Sequence, residues 1–173
     1  MLSAAVIIMC MVVLTVTIHL EGLWYIRRNL GRFMNRPRIG LSSIVLMSLG
    51  LHAIEIALYA VAFLIADRLL AIGQFSNDNS LDTMAYFYYS AVTFTAVGYG
   101  DILPTGELRL LAVAEPLNGL MLISWSGAFT FLAMQRLWTD RSLELQGRRA
   151  RAHREASPGK RPARIKPPGK DSG

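Results

Sequence analysis

The residues of this chain whose types and spacing could do chemistry begin with a stretch of backbone. Thr95-Ala96-Val97-Gly98-Tyr99-Gly100-Asp101 lies between two long apolar segments and follows the aromatic run Tyr86-Phe87-Tyr88-Tyr89. In an extended strand successive carbonyls point to opposite sides. A column of carbonyls on one side therefore needs alternate residues in a left-handed conformation, which glycine adopts without steric cost. Gly98 and Gly100 sit at that alternation. Such a column can replace the hydration shell of a cation, with backbone as the wall of the path. Val97 and Tyr99 would turn their side chains away from the axis and pack against a supporting helix.

A second constellation is polar and lies inside apolar segments. His52 and Glu55 fall three residues apart, on one helix face. From a helix start near Leu41, His52 lies about 16 Å along; from a start near Gly106, Glu115 lies about 14 Å along the next long segment. Antiparallel neighbours would bring them to similar depth, with Asn118 close by. An ionised group facing lipid costs at least ~2.5 kcal/mol, so these side chains are expected to face protein and meet one another. Two close carboxylates do not both ionise cheaply, which leaves one of them protonated or His52 charged between them. Either a proton-sensitive gate or a hydrogen-bonded brace between helices fits, and such bonds are common in membrane bundles. Catalysis is not supported. The three histidines are far apart, no nucleophile and base can be placed together, and no cofactor is implied. Cys10 is the only cysteine, so neither an intrachain disulfide nor a cysteine-based zinc site is offered.

The elements that must position these residues follow from composition. Of 173 residues, 53% are hydrophobic and only 17% charged, where a soluble domain carries about 25% charged. Leu2 to Leu20 has His19 as its only ionisable group and is long enough to span a bilayer. A signal peptide is the rival reading, but its start lacks Lys or Arg and no cleavage pattern ends it. Trp24 and Tyr25 suit an aromatic belt, and Arg27, Arg28, Arg32, Arg36 and Arg38 mark a cytoplasmic loop. A second span runs from about Leu41 to Ala66. A polar outer loop with Asn77, Asp78, Asn79 and Ser80 follows, and Asp82 or Ser80 can cap a helix from about Thr83 to Phe94, too short to cross. That helix must enter and return to the same face, which is tolerated only where protein or water surrounds the irregular backbone. A third span runs from near Gly106 to about Met134. The tail from Thr139 is basic; its first part can extend the third helix, while its Pro/Gly-rich end is expected to be disordered, leaving a largely disordered, solvated tail that fixes topology and is weakly drawn to anionic lipid headgroups. It has neither the aromatic interleaving nor the fold of a nucleic-acid binder. The expected layout is an N-terminal membrane helix over 1–26, a basic loop over 27–40, a membrane domain over 41–138 and the tail over 139–173. The N-terminus is placed outside and the C-terminus in the cytoplasm.

From about Leu41 to Trp138 the chain resembles the pore domain of potassium channels of the two-transmembrane type, with an extra N-terminal transmembrane helix. A glycine turn of a soluble protein would not explain the spanning flanks. Through His52, Glu55, Glu115, Asn118 and Gly119 it is also similar to small bacterial proteins of the ion-channel family, which suggests a bacterial inner membrane. The resemblance implies an all-α membrane protein: three transmembrane helices, with a re-entrant pore helix and selectivity-filter loop between the second and third. One filter stretch per chain supplies one wall, so a homotetrameric channel in the lipid bilayer is implied. The implied function is passive, potassium-selective permeation. Ion sites would form at the carbonyls of Ala96, Val97, Gly98 and Tyr99, flanked by Thr95 and Gly100, with potassium as the permeant ligand. Ala96 departs from the family, which mostly has threonine there, so a ring of hydroxyls at the innermost site is missing. Thr95 is expected to hydrogen-bond behind the filter. Tyr88 and Tyr89 stand where tryptophans often brace it, with hydroxyls expected to reach Tyr99 or Asp101. Gly119 lies at the family's frequent hinge and Pro116 is a second point of bending; a static kink is the alternative. A cation channel of relaxed selectivity, or a non-conducting membrane subunit or anchor, are the competing functions.

Overall fold

The computed structural model describes residues 2–29, 37–76 and 82–156. Expectations for Arg32 and Arg36, for Asn77 to Ser80 and for the tail beyond Ala156 lie outside the described residues. Four helices follow one another: α1 (Leu2–Asn29), α2 (Pro37–Arg68), α3 (Thr83–Phe94) and α4 (Leu108–Ala156). Three stretches, Leu2–Asn29, Arg38–Arg68 and Leu108–Arg136, are long and apolar enough to cross a membrane. The chain is an all-α, multi-pass integral membrane protein.

Helix boundaries shift from the expected ones for local reasons. α1 continues past Leu20 through Trp24 and Tyr25, and Arg27 and Arg28 in its last turn suit the negative end of the helix. The Asn29 side chain donates to the Tyr25 carbonyl at 3.0 Å and closes that turn. Asp82 is the cap of α3, its carboxylate accepting from the Thr83 N–H at 2.7 Å. Gly106 stands in a left-handed conformation, φ 60°, just before α4, so that helix starts at Leu108. Past Met134 the same helix runs on to Ala156, so the first part of the tail does extend the third long helix. Compact packing divides the chain into Met1–Met134 and Gln135–Gly173. In the second unit every residue of α4 with a described side chain is exposed.

Within the first unit, interhelical pairs set the register. Thr15, Tyr59 and Asn118 share one hydrogen-bonded level. His19, Glu55 and Ser126 share the next. Leu23 and Ile26 pack with Ile44 and Ala133 beyond it. Residue numbers rise together in α1 and α4 and fall in α2, so α1 and α4 run parallel and α2 runs against both. The Ser3 hydroxyl donates to Glu107 at 3.0 Å, which puts the start of α1 at the same end of the bundle as the loop before α4. The larger core gathers Phe63, Phe75, Tyr86 and Tyr89, whose rings meet edge to face with centroids 4.9 to 6.0 Å apart. That geometry is the favoured one for aromatic rings.

The segments flanking α3 are tied to each other. Ser76 N–H donates to the Leu103 carbonyl at 2.9 Å, Thr105 N–H to the Gln74 carbonyl at 2.8 Å and Glu107 N–H to the Ile72 carbonyl at 2.9 Å. α4 meets the end of α3 at Gly119, where a Cβ would overlap the Phe94 carbonyl oxygen. Gly119→Val is therefore expected to destabilise the fold by about 1–3 kcal/mol through overpacking against backbone. Gly50 in α2 faces open space, and Gly50→Ala gains helix propensity, about 1 kcal/mol at most. Thermal unfolding of both variants in one detergent checks this; equal loss in both would refute the contact.

Candidate functional site

The loop after α3 begins as a helix cap. Thr95 turns its hydroxyl back to the Ala91 carbonyl at 2.8 Å. Ala96 N–H donates to the Thr93 carbonyl at 2.9 Å and Val97 N–H to the Val92 carbonyl at 3.0 Å. With Ala96 left-handed at φ 58°, this is the paired-bond ending of a helix that usually employs glycine. The left-handed conformation recurs at Gly98, φ 56°, and Gly100, φ 77°, while Val97 and Tyr99 between them avoid it. Left-handed φ thus recurs at alternate residues from 96 to 100, and the series starts one step earlier than the glycines alone indicate.

Side chains anchor the far end of the loop. Tyr88 donates to Asp101 Oδ2 at 2.9 Å, and this hydrogen bond to the carboxylate holds the Tyr88 hydroxyl above the ordinary phenol range. Tyr89 does not make that contact. It packs edge-on against Phe63 and Phe75. Val97 and Tyr99 stay 55% and 71% exposed, so the packing expected against the supporting helix is not completed within one chain.

The intramembrane polar residues separate into three groups. Glu55, with no exposed surface, lies between two imidazoles: Oε1 is 2.8 Å from His19 Nδ1 and Oε2 is 2.9 Å from His52 Nδ1. Asn118 donates through Nδ2 to Thr15 Oγ1 at 2.7 Å and to the Tyr59 hydroxyl at 3.0 Å, joining α4 to α1 and α2. Glu115, equally buried, faces α3. The Ser90 hydroxyl carries one hydrogen for two acceptors, the Ile56 carbonyl at 2.9 Å and Glu115 Oε1 at 2.5 Å. Glu115 Oε2 has no hydrogen-bond partner among the described residues. His52 and Glu55 therefore meet as their spacing dictates, but Glu115 and Asn118 turn to other partners, Ser90 for the first and Thr15 and Tyr59 for the second. Pro116 lies inside α4 without ending it, and Gly119 is occupied by close packing on Phe94.

His19 is the residue that sequence reasoning missed. The histidines are not all far apart: the rings of His19 and His52 stack with centroids 5.4 Å apart. The available signal was that a lone ionisable residue in an apolar span needs a partner, with Thr15 one turn away on the same face. His19, His52 and Glu55 each offer one ligand atom, all within 4.8 Å of one another, a set able to hold a cation.

Residues 51–136 match the model of a family described as ion channel. The likeness extends over 86 of the 173 residues, from within α2 into α4. It takes in His52, Glu55, α3, the loop and α4 as far as Arg136, and the family is one of channels, not enzymes. No curated protein and no solved structure matches the chain. α1, with Thr15 and His19, lies outside the matched segment yet supplies two partners of the buried polar groups.

Interhelical bonds of this kind average about 0.6 kcal/mol in membrane proteins. Asn118→Ala removes two of them and is expected to cost about 1–2 kcal/mol. A double-mutant cycle with Thr15→Val, read by unfolding in detergent, should show non-additivity of about 0.5 kcal/mol or more; strict additivity would show that the bond contributes nothing.

Proposed function

We propose that this chain forms a potassium-selective channel, with Ala96 to Gly100 as one wall of the filter and α3 as a re-entrant pore helix. The observation that carries the reading is the left-handed alternation at Ala96, Gly98 and Gly100 directly after a helix too short to cross a membrane. The carbonyls of Ala96, Val97, Gly98 and Tyr99 bind successive ions in place of water. The carbonyl end of α3 favours a cation beyond it. Four copies enclose the path, and the exposure of Val97 and Tyr99 on a single chain is what a surface completed by neighbouring copies would leave. The start of α1 and the filter loop face the outside, while Arg27, Arg28 and Arg136 face the cytoplasm, in accord with charge bias. The basic C-terminal region attracts anionic lipid headgroups.

Gly98→Ala places a Cβ in a left-handed position at about 1–2 kcal/mol per subunit. Potassium flux into liposomes is expected to fall to background while membrane insertion and the oligomer persist. Unchanged flux in the inserted variant would remove the loop from the ion path.

Ala96 favours a second reading, a cation channel of relaxed selectivity, because the innermost site lacks a hydroxyl. Ala96→Thr adds one acceptor per subunit at the cost of a β-branched residue at positive φ, so Ala96→Gly serves as the control for backbone relief. Stronger block by internal barium and a lower sodium-to-rubidium ratio are expected for Ala96→Thr alone. Unchanged block and ratio would show that the hydroxyl is irrelevant to selectivity.

A further inference from the structure

We infer that His19, His52 and Glu55 form a binding site for a divalent transition-metal ion of the zinc class, which ties the N-terminal helix to the channel segment. Two imidazole nitrogens and one carboxylate oxygen lie within 4.8 Å of one another, with His19 and Glu55 fully buried and His52 partly so. This donor set selects against the alkali cation proposed to pass through the filter. Imidazole suits Zn, Cu, Fe and Ni, whereas hard cations take oxygen ligands. Two histidines and one carboxylate are also the protein ligands of many three-coordinate zinc sites that keep a fourth position open.

Charge and geometry agree with the assignment. The two partners of the Glu55 carboxylate are imidazoles, which leave the group a net negative charge unless a proton or a metal ion joins it. Tetrahedral coordination with bonds of about 2.0–2.1 Å separates ligand atoms by about 3.3 Å. With one Glu55 oxygen as ligand, the imidazole already on that oxygen, 2.8 or 2.9 Å away, backs off by about half an ångström, while the other imidazole, now on the second oxygen, closes in from within 4.8 Å. Metal at Nδ1 moves the ring hydrogen to Nε2, and a ligating histidine normally donates that hydrogen to a further acceptor. In His19, Nε2 lies 3.4 Å from the Ser126 hydroxyl, which accepts it; before binding the same hydroxyl donates to Nε2. Ser126 is thus a positioning residue that suits both tautomers. His52, with 12% of its side chain exposed, marks the side of entry. Because His19 comes from α1 and the other two ligands from α2, an ion here cross-links a helix outside the matched family segment to one that lies largely within it.

The test uses the full chain without an added histidine tag, stripped by chelator in detergent, and measures Co²⁺ and Zn²⁺ binding directly, so its result does not depend on conduction. One equivalent per chain is expected, with the visible absorption of tetrahedral Co²⁺ bleached by Zn²⁺ and a melting temperature raised by metal and lowered again by chelator. His19→Asn and Glu55→Gln, checked for helix content, should each weaken binding at least about tenfold, and Ser126→Ala by about tenfold as the outer partner. His153→Ala, in the second unit of the chain, should change nothing. Wild-type protein that binds less than stoichiometric metal overturns the proposal whether or not the variants fold. Binding that survives His19→Asn, or that is lost with His153, overturns it as well.

Discussion

Polar side chains buried between apolar helices have no water to fall back on, and that constraint fixes how the three long helices of this chain are registered. Glu55, Glu115, Asn118, Thr15 and His19 are all buried, and each of them has a hydrogen-bond partner on another helix. An apolar helix surface slides easily against another, since lipid tails are as apolar as leucine. A shift of α1 by one turn would carry His19 and Thr15 off Glu55 and Asn118 together. Two polar levels one helical turn apart therefore act as a pin that apolar packing alone does not supply.

A different constraint governs the loop. Its backbone leaves the helical ladder at Thr95, and its first N–H groups are recaptured by the carbonyls of Val92 and Thr93. Beyond them the chain takes left-handed turns at alternate residues, which consumes no side-chain contact but needs fixed ends. One end is the cap on α3. The other is Asp101, held by Tyr88, with the ties between residues 72–76 and 103–107 behind it. The aromatic core of Phe63, Phe75, Tyr86 and Tyr89 then serves a positional purpose, holding α3 on α2 so that the loop emerges at a defined place. Gly119 completes this by letting α4 approach the last carbonyl of α3.

Local features were legible in the sequence and tertiary ones less so. The bounds of α3 and its Asp82 cap followed from a capping residue and an aromatic run, and the spans from uninterrupted apolar length. The alternation at Gly98 and Gly100 followed from the requirement for positive φ. Ala96 escaped notice because its conformation is imposed by the helix ending, not by its own preference. α1 overran the expected helix over 1–26 by three residues because Arg27 to Asn29 is as compatible with helix as with the start of a loop, and hydropathy marks only the membrane border. The partners of Glu115 and Asn118 were misassigned because depth along a helix gives the level of a side chain and not its azimuth. His19 was overlooked for the same reason, its partner being 36 residues away on another helix.

The position of α1 bears on what the extra helix does for the channel reading. A pore domain of two spanning helices needs only α2, α3, the loop and α4, and the family match lies within them, from Leu51 of α2 to Arg136 of α4. α1 nevertheless carries a hydroxyl that accepts from Asn118 of α4 and an imidazole that faces Glu55 of α2. Asn118 is the immediate neighbour of Gly119, where α4 rests on the end of α3. Movement of α4 relative to α3 would have to break or carry with it the bonds from Asn118 to Thr15 and Tyr59. In the proposed channel α1 is thus coupled mechanically to the helix most able to change the width of the path, and the His19–Glu55–His52 cluster sets how firmly it is held to α2.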